Sequence, residues 1–288
     1  MEPLISIIIP CYNSGAYLPD AIDSIEQYPD KEVYEVIIID DGSTDVLTLD
    51  LLNNFNKQGY TVLHQTNGGP AAARNSGVRA SKGKYLLFLD SDNKIRNIFI
   101  DKGLKILNAQ PDIGIVYGNA AFFGSSTTPR FYPRPFDLHQ VLLKNYIDTC
   151  SIMRREVWES TGGFDENRII IGHEDWEFWI RVGKTGWKFL FVDEIFFDYR
   201  LSENSLVAQV VLENNSMQKY QEYIYQKHGY LLVEKYKGLM DVYNAYEAAK
   251  RRPLVAYGKL MYRKYLFNED GTPKMKLLYN FFKKKLKT

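Results

Sequence analysis

Three acidic clusters hold most of the chemistry available to this sequence: Asp40-Asp41-Gly42-Ser43-Thr44-Asp45, Asp90-Ser91-Asp92 and Glu174-Asp175. Each alone reads as capping, because Asp at a strand end or helix N-terminus ordinarily satisfies free backbone N–H groups. Together they make an oxygen-rich set suited to a hard divalent cation. An Asp-x-Asp pair can hold such an ion through one or two carboxylates and leave positions open for substrate phosphates. The apolar run Leu86-Leu87-Phe88-Leu89 ends in two carboxylates, an expensive arrangement unless something cationic binds there. Cys11 and Cys150 are the only cysteines, which leaves no disulfide framework or cysteine-based zinc site and fits a reducing compartment.

These clusters need a scaffold that gathers them. Through about residue 120, short β-branched runs alternate with helical patterns, the mark of a mostly parallel sheet covered by helices. Strands are expected at Leu4–Pro10, Glu35–Ile39, Thr61–His64, Tyr85–Leu89 and Ile113–Tyr117. Helices are expected at Tyr17–Gln27, Asp45–Gln58, Pro70–Ala80 and Asn97–Ala109. Each strand runs into a polar turn, so polar residues collect at the strands' carboxyl ends, where open α/β sheets bind ligands. Beyond residue 120 the pattern loosens into a loop at Gly124–Pro129, a helix at Glu174–Lys184 and two short strands, Lys188–Val192 and Ile195–Tyr199. Residues 203–288 are helical by periodicity, with breaks at Gly229, Pro253 and Pro273. With 288 residues, 45% hydrophobic and 25% charged, the chain can build one large domain with an extension; its composition excludes disorder and collagen-like repeats.

The ordered series Ser6-Ile7-Ile8-Ile9-Pro10-Cys11-Tyr12-Asn13, Ile37-Ile38-Ile39-Asp40-Asp41-Gly42-Ser43-Thr44-Asp45, Asn67-Gly68-Gly69-Pro70-Ala71-Ala72-Ala73-Arg74-Asn75-Ser76-Gly77, Asp90-Ser91-Asp92 and Gly162-Gly163-Phe164-Asp165 through Glu174-Asp175 resembles that of the inverting family 2 glycosyltransferases. The resemblance covers roughly residues 4–205. It implies an α/β GT-A fold: a Rossmann-like, mostly parallel sheet with flanking helices, here followed by a helical C-terminal extension. The domains it implies are a transferase at 1–205, with a nucleotide-binding half at 1–120 and an acceptor-binding half at 121–205, and the extension at 206–288.

The resemblance also implies roles. Tyr12 would stack on the nucleotide base, the alternative being a core aromatic, and Asp41 would accept the imide N–H of uracil, which favours a uridine or thymidine donor, the expectation being a UDP-sugar. Asp40 would order its turn. Pro10, Asn13, Arg74, Asn75 and Ser91 would line the nucleotide-sugar pocket, with Asp90 near the ribose or beside the metal. Asp92 would bind the divalent ion, Mn²⁺ or Mg²⁺, that bridges the donor phosphates. Asp175 would be the general base for an acceptor hydroxyl, with Glu174 and Trp176 contacting the acceptor, a glycan or lipid-linked glycan. Helical spacing places Trp176 and Trp179 near one face, which reads as core, with Trp176 the better sugar platform. His173 reads as structural. One departure concerns Tyr199-Arg200, which many relatives follow with a histidine metal ligand; here Leu201-Ser202-Glu203-Asn204-Ser205 follows, leaving Arg200 as a candidate diphosphate cation.

Charge is uneven along the chain. Residues 250–288 carry twelve Lys/Arg against two acids, a local charge of +10 that leaves −9 on residues 1–249. In residues 273–288, Met275, Leu278, Phe282 and Leu286 recur at helical spacing among lysines, so this tail can lie on an anionic membrane surface; packing on its own protein or on a second subunit of a homo-oligomer is the alternative. The acidic body disfavours nucleic acid. Leu4–Ile9 follows Glu2, lacks a basic flank and is too short to span a bilayer, so the expectation is a cytoplasmic protein, peripheral on the inner face of the plasma membrane if its tail takes the first of these two roles. Two rival enzyme classes lack their signatures: the turn after the first strand has neither a Gly-rich, Lys-bearing triphosphate loop of a nucleotidyltransferase nor the G-x-G-x-x-G of a dinucleotide oxidoreductase. A non-catalytic glycan-binding protein on the same fold is a further alternative, disfavoured by the presence of Asp41, Asp92 and Asp175 together.

Overall fold

The computed structural model describes residues 2–202 and 216–266, so the tail from 273 lies outside the described residues. The first compact unit runs through Gly229, and the second begins at Tyr230. In the first unit, β1 (Ile5–Cys11), β2 (Tyr34–Asp40), β3 (Thr61–His64) and β4 (Tyr85–Phe88) form the parallel side of one sheet. The full order is β3-β2-β1-β4-β7-β6-β8-β5, with β5 (Lys94–Ile95), β6 (Ile113–Gly124), β7 (Ile152–Arg154) and β8 (Lys188–Leu201) completing eight strands among the described residues. Ile5, Ile7, Ile8 and Ile9 are fully buried on both faces of β1, as a central parallel strand requires.

Helices α1 (Leu18–Glu26), α2 (Val46–Lys57), α3 (Pro70–Ala80) and α4 (Asn97–Ala109) connect these strands within a residue or so of the expected bounds. Local chemistry explains two of them. Asp45 caps α2 by accepting from Thr48 N at 2.8 Å, and α3 opens on Pro70 after Gly69, whose φ of +89° suits glycine. Further on come α5 (Leu138–Leu143), α6 (Arg155–Thr161), α7 (Glu174–Gly183) and α8 (Ser216–His228).

The structure corrects the reading of the second half. The two short strands expected at 188–199 are one continuous β8, which pairs with β6 along its length. The ladder shifts register at Gly118 and Asn119, opposite the stretch between Val192 and Ile195, so Asp193-Glu194 form an irregularity inside the strand and not its end. β6 continues through Gly124 for the same reason, past the expected Tyr117. Antiparallel β7, which carries no alternating pattern in its three residues, joins the β4 and β6 sides of the sheet.

The first unit also takes in α8, where sequence places the start of the extension at 206. Tyr220, Ile224 and His228 of α8 are buried. The His228 imidazole lies 3.0 Å from fully buried Glu177 of α7, which Arg181 and Lys227 also pair at 2.8 Å. Burial alone would raise the Glu177 carboxyl, yet these three partners hold it below its usual range. In the second unit, α9 (Tyr230–Arg251) and α10 (Pro253–Leu266) meet at Arg252, and α9 contains no buried residue. Among the described residues no helix is long and apolar enough to cross a membrane.

Packing of α3 on the sheet depends on Gly77. A Cβ there would clash with Ile8 Cγ2, whereas one at Gly186 would meet nothing within 4 Å. Gly77→Ala is therefore expected to lower stability by about 1–3 kcal/mol from overpacking, less a helix-propensity gain of up to about 1 kcal/mol, while Gly186→Ala changes little. Urea midpoints measure both; equal midpoints for the two variants would refute the close approach.

Candidate active site

Because β1, β2 and β4 are parallel neighbours, the turns that follow them open on one edge of the sheet. Tyr12-Asn13, Asp41 and Asp90-Ser91-Asp92 emerge there and border a cleft of about 1210 Å³, which the start of α7 closes with Glu174, Asp175 and Trp176. That volume exceeds the roughly 300–1,000 Å³ of a drug-sized pocket and suits two substrates at once. Pro10 and Arg74 also line it.

The turns are tied to one another. Asn13 sits at φ +48°, a left-handed conformation that Asn tolerates, and its Oδ1 accepts from Thr44 N (2.7 Å) and Asp45 N (3.1 Å). Its side chain therefore staples the first turn to the second, whatever else the residue borders. Asp40 accepts from Ser43 N at 2.8 Å and pairs with His64 Nδ1 at 2.8 Å; burial works against ionisation, but these bonds hold its carboxyl below the usual range. Asp41 is buried and accepts from Gln65 Nε2 (2.7 Å), Gly68 N (2.8 Å) and Gly69 N (2.8 Å). The Tyr12 ring, by contrast, is 51% exposed at the cleft, so it is no core aromatic.

A single buried guanidinium joins the two acidic walls. Arg74 Nη1 donates to Glu174 Oε1 at 2.5 Å and Nη2 to Asp90 Oδ1 at 2.6 Å. Burial would lower its pKa, but the two carboxylates outweigh that and raise it. Among the described residues Asp92 has no ion pair of this kind, although Arg200 attracts its charge weakly. Burial, then Asp90, pushes its carboxyl up to about 6. Burial, then Glu174 and Asp148, pushes Asp175 well above the usual carboxylate range; Asn145 Nδ2 donates to its Oδ2 at 2.9 Å. Among the described residues no group of three or more His, Cys, Asp or Glu side chains converges on a metal position, so protein atoms alone do not supply a closed cation site.

Three sequence expectations change. Asn75 does not border the cleft: its Nδ2 donates to Phe164 O and Glu166 Oε1, both at 2.8 Å, and its Oδ1 accepts from Trp158 Nε1 and Phe164 N, both at 2.9 Å. It fixes the Gly162-Gly163-Phe164 turn. Trp176 borders the cleft but is 4% exposed, with its indole N–H bound to Val141 O at 2.5 Å, so it serves as a wall and offers no open platform. Trp179 is fully buried, as the core reading requires. Arg200 lies behind the metal-type turn, where it donates to the Asp92 backbone oxygen at 3.0 Å and to Asp20 at 2.5 Å, and it does not border the cleft.

The loop between α5 and β7 also contributes to the cleft, with no sequence signal to announce it. Asn145 and Asp148 belong to the cleft, and so do Tyr220 and Gln221 of α8; the Tyr220 ring lies 3.7 Å from that of His173. No motif marks these residues in the sequence. Burial, with Arg130 nearby, lowers His173 to about 4, so it is neutral at physiological pH.

This sheet, with its acidic cleft at the strands' carboxyl ends, is a GT-A fold, and the chain belongs to glycosyl transferase family 2, whose family model matches residues 6–162. TuaG of Bacillus subtilis, assigned to teichuronic acid biosynthesis, is 30% identical over 71% of this chain and 82% of its own length. An uncharacterized glycosyltransferase of Haemophilus influenzae is 42% identical over 42% of this chain, which spans only about half of that relative (48%). Among solved structures, S. aureus TarS in complex with UDP-GlcNAc (TM-score 0.59, 20% identity) covers 72% of this chain and is itself covered over 61% of its length. A mannosyltransferase of Pyrobaculum calidifontis in complex with GDP-Man and Mn²⁺ (TM-score 0.56, 18% identity) covers 91%, and 81% of it is matched.

Two predictions follow from the charge balance. Arg74→Met leaves Glu174 and Asp90 without their shared cation and is expected to cost about 3–5 kcal/mol in urea denaturation; a loss under about 1 kcal/mol would contradict the bridge. Asp148, which burial and then Asp90 push up to about 7, holds its proton more tightly folded than unfolded. The stability it contributes is complete below about pH 4 and is lost as pH rises through 7. Ligand-free Asp148→Asn is thus expected to melt above wild type at pH 8 and to match it near pH 4; a Tm difference that does not change with pH would contradict the shift.

Proposed function

We propose that this glycosyltransferase is inverting and metal-dependent, moving a sugar from a UDP-sugar donor to a hydroxyl of a glycan or lipid-linked glycan in bacterial surface polysaccharide synthesis. The observation that carries this reading is that Asp92 and Asp175 border one cleft, with Asp148 in electrostatic reach of both. The relatives support its setting, since TuaG is assigned to teichuronic acid biosynthesis and the solved neighbours hold nucleotide-sugars.

The donor's base stacks on the exposed ring of Tyr12. Each carboxylate oxygen has about two acceptor positions. Asp41 uses two on Oδ1 and one on Oδ2, which leaves one for the imide N–H of uracil. That geometry favours uridine over a base without an imide. Asp92, with the donor phosphates, would hold a Mn²⁺ or Mg²⁺ ion, a pairing that suits a site with few protein ligands and a strongly acidic surround. When bound, such an ion neutralises charge on the departing diphosphate.

The acceptor binds beside α7, near Glu174 and the aromatic wall of Trp176, His173 and Tyr220. Asp175 accepts the proton of the acceptor hydroxyl while the oxygen bonds to the anomeric carbon and the carbon–phosphate-oxygen bond breaks. One displacement from the opposite face inverts that carbon. The Asn145 N–H donor steadies the ionised form of Asp175 against the burial that raises it.

A UDP-release assay over a panel of UDP-sugars and lipid-linked acceptors, with Mn²⁺ or Mg²⁺ and then with chelator, tests the reading. Turnover is expected to stop on chelation and return with metal. Asp175→Asn is expected to lower transfer by about 10²–10⁴-fold while UDP affinity stays within about twofold of wild type. A variant that still transfers removes Asp175 as base, and chelator-resistant turnover removes the ion.

A further inference from the structure

Asp148 has no part in the steps above, yet it stands where they meet. It lies on the loop between α5 and β7 and borders the cleft. Its Oδ1 accepts from Cys150 N at 2.8 Å, while no protein donor reaches its Oδ2 among the described residues. Among the described residues no Lys, Arg or His forms a direct ion pair with it, Arg74 acting only at a distance, and no set of three ligating side chains forms around it. Its acidic neighbours fall at two ends, Asp90 and Asp92 at the donor-phosphate end and Asp175 at the acceptor end, while Arg74, which bridges the two walls, partly offsets their charge.

A single in-line displacement fixes what must lie between those ends. The leaving oxygen sits by Asp92 and the attacking oxygen by Asp175, so the anomeric carbon and its ring occupy the intervening space. We propose that Asp148 binds the transferred sugar, its free Oδ2 accepting a hydrogen bond from a ring hydroxyl of the donor. The assignment rests on the donor reading above and deepens it by naming a group that reads the sugar, not the nucleotide. The loop is built to hold that oxygen still: Asn145 Oδ1 accepts from Ile147 N at 3.1 Å, and Trp179 Nε1 donates to Ile147 O at 3.0 Å. A group fixed before binding loses little entropy on contact and discriminates sharply against an analogue that lacks the hydroxyl.

The test compares binding of UDP, UDP-glucose and UDP-GlcNAc, each with Mn²⁺, to wild type, Asp148→Asn and Asp148→Ala by isothermal titration. Both variants are expected to bind UDP within about twofold of wild type. The tighter of the two UDP-sugars should weaken by about tenfold or more, the size of one hydrogen bond to a charged group. The donor KM should rise with it while the acceptor KM holds, and an unchanged acceptor KM is what a merely structural defect would not give. If Ala fails to fold, Asn carries the comparison, because it keeps the shape and the Oδ1 contact. Equal weakening of UDP and the UDP-sugars would assign Asp148 to the diphosphate and overturn the proposal, as would an unchanged UDP-sugar affinity. Failure of wild type to bind UDP at all would instead overturn the donor reading on which it rests.

Discussion

Charge balance around Arg74 is the constraint on which the cleft depends. Its guanidinium is buried and bridges Asp90, on the turn after β4, to Glu174, at the start of α7. These residues are far apart in sequence, and neither wall of the cleft would hold its carboxylates at this spacing without a cation between them. Lysine would have to reach both carboxylates from one nitrogen, whereas the planar fork of Arg74 meets each with a separate Nη. Arg74 belongs to the helix that Gly77 lets settle on β1, so the approach of α3 to the sheet and the electrostatics of the cleft are one arrangement.

With the two acidic walls so joined, the remaining carboxylates are under strain of a different kind. Asp92 and Asp175 have less compensation, and their raised protonation follows from burial beside like charges. A site in this condition is arranged for ligands that bring positive charge or hydrogen-bond donors with them, and groups with displaced pKa values in a cleft are those most often tied to function.

Much of this was legible in the sequence, because the turns after β1, β2 and β4 carry their chemistry in contiguous residues. Strand, turn and acid are adjacent in the chain, so the hydrophobic pattern that locates the strand also locates the carboxylate. Asn75 misled because it is adjacent to Arg74 yet points the other way on α3; neighbours on a helix do not share a face. Trp176 misled because its polar handle is satisfied by Val141 O, a contact 35 residues distant that no local spacing encodes. Asn145 and Asp148 lie on a loop with no periodicity, and Tyr220 comes from a helix beyond the expected domain end. Only the folding of the second half onto the first brings them to the cleft, and β8 could not be read as one strand because Asp193-Glu194 interrupts its pattern.

The tryptophans carry a last consequence. The chain has four, at positions 158, 176, 179 and 187, and Trp176 alone borders the cleft. Its ring lies edge-on to Tyr220 and His173, at centroid distances of 6.1 and 6.4 Å. The protein thus contains its own optical gauge: the part of the tryptophan emission that Trp176→Phe removes would register the filling of the cleft without any label or coupled enzyme, and the other three indoles stay in place to hold the fold.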